Sequence, residues 1–171
     1  KKGTLHQFLN KSNEKLNNTQ KMIILFGIAL GMEYLHNHGI IHRDLKLQNI
    51  LLDEFLYPKI IDFGDSKTIN LELNRSQNVG TPFYMAPEIS DEKSSSYSFP
   101  VDVYSYGIIA YYIYLNDDVK TSRFPNLKKL NPKISSFVQK LMDENPDKRP
   151  NFGQIANSFL TDKEKTWLND V

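Results

Sequence analysis

A chain of 171 residues, 40% hydrophobic and 24% charged, is long enough for one domain with a sizeable core and has an ordinary globular balance. Its formal net charge of +1 gives no reason to expect nucleic acid or an anionic membrane as a partner. The absence of cysteine excludes disulfides and thiolate metal sites, and it is compatible with the cytoplasmic, intracellular location expected here.

The chain opens "KKGTLHQFL" without an initiator Met or a signal-peptide pattern, as expected of a segment from within a longer protein. Residues 4–10 suit a short helix, and 10–18 read as a polar loop. From Thr19 to the Gly39 stop, apolar residues recur at helical spacing, with Asn18 or Thr19 as the expected cap. Ile50–Leu52 and Lys59–Ile61 read as two short strands joined by a turn over Glu54–Pro58. Polar composition over 65–80 predicts a loop. After Pro100, a helix of about fifteen residues carries apolar side chains all round, which predicts burial on every side. Its run Tyr106–Leu115 is too short to span a bilayer. Two further helices are expected near 134–143 and 151–160, with "NPDKRP" breaking the chain between them. The expected fold is mainly α with a small β-ribbon.

The ribbon region carries the chemistry. "IIHRDLKLQNILLDEFLYPKIIDFG" (Ile40–Gly64) sets a dense group of polar and ionisable residues between apolar runs. Taken singly, each reads as a strand-end or turn residue. Their spacing says more. Asp44, Lys46 and Asn49 fall within six positions just before a strand, and a ribbon that folds back delivers Asp62 beside Asn49. An amide oxygen and a carboxylate are hard ligands suited to Mg²⁺. Asp44 is placed to accept or orient a hydroxyl proton. Lys46 is a point charge for phosphate oxygens. These are the parts that phosphoryl transfer requires.

"HRDLKLQN" (His42–Asn49), "DFG" (Asp62–Gly64), "GTPFYMAPE" (Gly80–Glu88) and "DVYSYG" (Asp102–Gly107) together resemble the signature set of eukaryotic-type protein kinases, in the family's order. The resemblance covers residues 1–160 and corresponds to the C-terminal lobe, with 161–171 as a tail; "GMEYLH" and the "GTPFYMAPE" wording are similar to the tyrosine-kinase-like group. It implies ATP and Mg²⁺ as cofactors and a protein as substrate, and leaves the oligomeric state open. By the same resemblance, Asp44 is the catalytic base and Asn49 and Asp62 are the Mg²⁺ ligands. Lys46 steadies the transferred group, Thr81 bridges Asp44 and Lys46, and Leu51 floors the adenine. Lys46 and Thr81 favour Ser/Thr over Tyr substrates.

Other matched residues are implied to be structural or regulatory. His42 and the Phe63 of Asp62–Phe63–Gly64 would stack in the core. Asp102 would anchor the catalytic loop by accepting backbone N–H groups near His42 and Arg43. Glu88 would pair with Arg149 in a buried ion pair. Residues 65–79 match the activation segment, with Ser76, then Thr68, as the expected phosphosite and Arg43 as its receiver.

This sequence also departs from the family. Asp65 follows the Asp-Phe-Gly motif where an apolar residue is usual, and Leu47-Gln48 replaces Pro-Glu. The span from Asp102 to Arg149 is short for the helix the family places there, which bears on partner docking. The 171 residues hold no G-x-G-x-x-G loop, no V-A-I-K lysine and no helix glutamate to pair with it. Two readings follow. The chain is the C-lobe of an active Ser/Thr kinase, or it is a pseudokinase-like binding module or truncated product that transfers nothing. Coding sequence upstream of Lys1 would discriminate them.

Overall fold

The computed structural model describes residues 2–11, 15–64, 66–68, 83–89, 98–116 and 125–160. In chain order the elements are β1 (Gly3–Thr4), α1 (Leu5–Lys11), α2 (Asn18–Asn37), β2 (Ile40–Ile41), β3 (Ile50–Leu52), β4 (Pro58–Ile60), β5 (Lys67–Thr68), α3 (Pro100–Leu115), α4 (Pro132–Leu141) and α5 (Phe152–Leu160). Single 3-10 turns lie at Leu47–Asn49, Pro87–Ile89, Leu127–Lys129 and Pro146–Lys148. The fold is mostly helical with a small antiparallel sheet.

α2 is capped by Asn17, one residue before the nearer of the two expected caps. Asn17 Oδ1 accepts the Gln20 N–H at 2.9 Å, and Gln20 Oε1 accepts the Asn17 N–H at 3.0 Å. This capping box is written in the sequence as Asn-x-x-Gln. At the other end Gly39 takes φ +72°, the left-handed conformation that stops a helix and costs a glycine little.

β3 and β4 pair antiparallel as expected, Ile50 opposite Ile60 and Leu52 opposite Pro58, although β4 begins and ends one residue earlier than the sequence suggests. Asp53 holds the turn between them, its Oδ1 accepting the Phe55 and Tyr57 N–H groups at 2.9 Å each. The ribbon is in fact a three-stranded sheet of order β1-β3-β4, because Gly3 and Thr4 pair with Leu52 and Leu51. Residues expected as loop supply β5, which pairs with β2, Ile40 opposite Thr68. Strands of two residues have no periodicity to read; their partners define them.

Of the 16 residues of α3, 13 are buried, so this helix has no solvent face and forms the axis of the core. α2, α4 and α5 pack around it. The Tyr106 hydroxyl donates to the Leu25 carbonyl at 3.1 Å and its ring meets Phe152 edge-on at 5.5 Å, tying α3 to both α2 and α5. α3 ends at Asn116, left-handed at φ +53°, whose side chain accepts from Leu16 N–H and donates to Leu16 O, both at 3.0 Å. α4 starts at Pro132, two residues earlier than expected, where Asn131 Oδ1 accepts the Lys133 N–H at 2.9 Å. α2 lies unusually close to β4: a Cβ on Gly27 would sit 2.6 Å from Pro58 Cγ. Among the described residues no helix is long and apolar enough to cross a membrane.

Candidate active site

The segment between β2 and β3 is held from below by α3. Asp102, in the first turn of α3, is fully buried. Its Oδ2 accepts the His42 backbone N–H at 2.8 Å and its Oδ1 accepts the Arg43 N–H at 2.9 Å. These contacts fix Arg43 at φ +66°, a conformation that costs a non-glycine residue on the order of 1–3 kcal/mol unless its surroundings hold it. The turn then presents Asp44, only 8% exposed. Lys46 Nζ donates to Asp44 Oδ2 at 2.5 Å, and Asn49 Nδ2 donates to the same oxygen at 3.0 Å and to the Asp44 carbonyl at 2.9 Å. Three side chains within six positions thus form one cluster, oriented by the 3-10 turn Leu47–Asn49.

β4 returns the chain to this cluster. The Ile61 N–H donates to the Asn49 carbonyl at 2.9 Å, so Asp62 leaves the sheet beside Asn49. Asp62 is exposed and left-handed at φ +67°. Asn49 commits its Nδ2 to Asp44, which leaves its Oδ1 to accept, and Asp62 follows Ile61, the backbone partner of Asn49. That donor set fits a hard cation such as Mg²⁺. Among the described residues no group of three or more His, Asp or Glu could hold a metal alone, so such an ion would take its remaining ligands from phosphate or water. Leu51 is half-buried between the buried Ile50 and Leu52, and so faces the side of the sheet away from the core.

The Phe63 and His42 ring centroids lie 5.3 Å apart with the rings tilted by 51°, and Phe63 is 48% exposed where a place in the core was expected. Gly64 is exposed, and a Cβ there would meet Asp62 Oδ1 at 3.4 Å. His42 Nε2 faces the Ile61 carbonyl at 3.2 Å, and its buried Nδ1 has no partner among the described residues. At the opposite edge Arg149 Nη1 and Nη2 donate to the two oxygens of Glu88 at 2.6 and 2.8 Å. Arg149 also donates to the Asp143 and Pro100 carbonyls at 2.8 and 3.0 Å and lies 5.1 Å over the Tyr104 ring.

Thr81, Ser76, Asp65 and the 161–171 tail lie outside the described residues, and Thr68 is described in its backbone alone, as part of β5. The contact absent from the sequence reading is His36 Nε2 on Asp102 Oδ2 at 2.9 Å. A histidine in the last turn of a helix carries no local signal of a partner 66 residues away. The left-handed backbone of Arg43 was equally invisible, since arginine rarely adopts it; that of Asp62 falls on a residue type that tolerates it.

The sequence profile of the protein kinase domain matches residues 1–160. The chain belongs to the protein kinase family. It is 38% identical over 168 residues to RGS domain-containing serine/threonine-protein kinase A of Dictyostelium discoideum, covering 90% of this chain and 15% of that protein. It is 34% identical over 163 residues to serine/threonine-protein kinase polo of Drosophila melanogaster, covering 87% of this chain and 28% of that one. Dual specificity protein kinase pyk3 of Dictyostelium discoideum is 31% identical over 189 aligned positions, covering 99% of this chain and 14% of its own length. The chain therefore spans under a third of the length of these relatives.

Proposed function

We propose that this chain is the C-terminal, catalytic lobe of a Ser/Thr protein kinase, which transfers the γ-phosphoryl group of ATP to Ser or Thr hydroxyls of protein substrates. The observation that carries the reading is the Asp44 cluster. A carboxylate 8% exposed and held by Lys46 and Asn49 supports the reading of Asp44 as a positioned proton acceptor. Asp44 takes or orients the substrate hydroxyl proton. Lys46 donates to phosphoryl oxygens and, with Thr81, favours Ser/Thr over Tyr. Asn49 and Asp62 hold Mg²⁺, which when bound neutralises phosphate charge. Leu51 supports the adenine. Arg43 receives an activation-segment phosphate, Ser76 being the first candidate. A cytoplasmic location is part of this proposal.

The test is Mg²⁺-dependent transfer from ATP to Ser, Thr and Tyr peptides by the full-length protein. Ser and Thr peptides are expected to be phosphorylated, with activity lost in Asp44→Asn and Asp62→Ala. Transfer confined to Tyr overturns the specificity. Transfer that survives both substitutions overturns the site.

A further inference from the structure

We infer that the groove between α4 and α5 is a docking site for an acidic segment of a partner protein, with carboxylates held at its rim and apolar side chains on its floor. The groove encloses about 550 Å³ between α4, the 3-10 turn Pro146–Lys148 and α5, and no residue of the Asp44 cluster lines it. Its rim carries three exposed ammonium groups, from Lys133 and Lys140 on α4 and from Lys148 on the turn. Lys133 and Lys140 stand two helical turns apart, about 10 Å along the axis, the length of about three residues of extended peptide. A single carboxylate of the lining, Asp147, opposes these three cations. Asp143 is turned away to its own loop, its Oδ1 accepting the Asn145 N–H at 2.9 Å. Among the described residues Lys140 and Lys148 have no ion-pair partner. The excess reaches beyond the groove. Residues 125–160 hold six Lys or Arg against three Asp or Glu, so the rest of the chain is net acidic. A cleft lined by one sign of charge draws in the opposite sign.

The floor is apolar. Leu141 and Ile155 are buried, and Phe137 is half-buried with its ring 6.1 Å from that of Phe159. Arg149 also lines the groove, but its guanidinium is committed to Glu88 and to the Asp143 and Pro100 carbonyls. Ser136 and Gln154 add an exposed hydroxyl and an exposed amide, donors and acceptors for the backbone of an extended peptide. This mixture selects among anions. Free phosphate or a nucleic-acid backbone satisfies the lysines and leaves the apolar floor uncovered. A bilayer surface is broad and does not enter a groove between two helices. A polypeptide in which acidic and apolar residues alternate presents one kind to the rim and the other to the floor, because successive side chains of an extended chain point to opposite sides.

The site stands apart from phosphoryl transfer and is tested by binding alone. A fluorescent peptide in which Glu alternates with Leu is titrated by anisotropy with the full-length protein and with a Lys133→Glu/Lys140→Glu variant. Both positions are exposed, so the variant is expected to keep the parent's urea midpoint. Binding is expected to weaken at least about tenfold in the variant, and to weaken with added salt in the parent. A companion peptide of alternating Lys and Leu is expected to prefer the variant to the parent. Should the double variant not fold, Lys140→Ala and Lys148→Ala are each expected to weaken the Glu–Leu peptide by about twofold to fivefold. A peptide of alternating Glu and Ser is expected to bind at least about fivefold more weakly than the Glu–Leu peptide, since it leaves the floor exposed. Equal affinity for those two peptides overturns the peptide assignment and leaves a general anion site. No binding of the Glu–Leu peptide, or binding unchanged by the lysine substitutions, overturns the site. Lysine-dependent binding to phosphatidylserine vesicles or to duplex DNA that is tighter than binding to the peptide overturns the choice of partner.

Discussion

Arg149 clasps Glu88 through two parallel N–H···O bonds, 2.6 and 2.8 Å long, across 61 residues of sequence. The guanidinium side chain is fully buried while the carboxylate side chain keeps 19% of its surface. Carbonyls of Asp143 and Pro100 take further donors, so the buried cation is paired and solvated by the protein on several sides. The pair joins the 3-10 turn Pro87–Ile89 to the one at Pro146–Lys148, and Arg149 also reaches the Pro100 carbonyl at the start of α3.

Removing one member of a buried pair leaves the other uncompensated. Arg149→Ala is expected to cost about 3–5 kcal/mol in urea unfolding. Glu88→Ala should cost less, because Arg149 keeps its two carbonyl acceptors and its place over Tyr104. A loss below about 1 kcal/mol for Arg149→Ala would show that the pair is surface-like in its energetics.

Asp44 accepts from Lys46 and Asn49 in the loop before β3. Asp44→Asn is expected to lower phosphoryl transfer by about 10²–10⁴, the usual contribution of a general base, while the unfolding midpoint moves little. Peptide kinetics and a urea titration on the same preparation separate the two effects. Loss of folding in parallel with activity would make Asp44 a structural residue.

Gly27→Ala sets two effects against each other. A helix interior gains about 1 kcal/mol from the change. The new Cβ, however, meets Pro58 Cγ at 2.6 Å and Cδ at 2.8 Å, and a proline ring cannot rotate aside. Overpacking of this kind costs about 1–3 kcal/mol, so the net result is destabilisation of up to about 2 kcal/mol in urea unfolding. Stabilisation would mean that β4 moves freely away from α2.

Alkaline stability is set largely by buried tyrosines. Burial pushes the Tyr106 hydroxyl up, and likewise those of Tyr84, Tyr104, Tyr112 and Tyr114. With the folded pKa raised, the unfolded chain loses these protons first. Stability is therefore complete below the ordinary tyrosine value near ~10 and falls as pH climbs from there toward the folded values. Lys21 works against this trend, because burial, and then Lys15, pushes its pKa down, and it recovers stability as pH rises toward ~10.4. Urea midpoints at pH 7, 9 and 10.5 should fall at the last step, and less steeply in Tyr106→Phe. A slope unaltered by Tyr106→Phe would show that Tyr106 does not contribute.

How much could be read in advance depended on how local each cause is. The burial of α3 was plain from apolar side chains on all its faces, and α2 from its helical period and the Gly39 stop. The Asp44–Lys46–Asn49 cluster was legible because six consecutive positions on one turn can reach each other whatever the rest of the chain does. The β3–β4 pairing followed from two apolar runs and a turn. The Asn17 cap could have been found from Asn-x-x-Gln and was missed by one residue.

Other features have no local cause. β1, β2 and β5 are two residues long, and pairing with a distant partner alone makes them strands. His36 is an unremarkable helix-end histidine until the packing of Phe99 and Phe152 turns its ring toward Asp102. Arg43 holds a left-handed backbone that its residue type disfavours, because hydrogen bonds from α3 constrain the chain there, and Asp62 holds one at the end of β4's pairing. Residue type alone specifies which groups are on hand, since carboxylate, amide and ammonium groups keep their chemical character wherever they lie. The tertiary structure decided their geometry, because orienting a buried carboxylate takes donors from elements that only folding brings together.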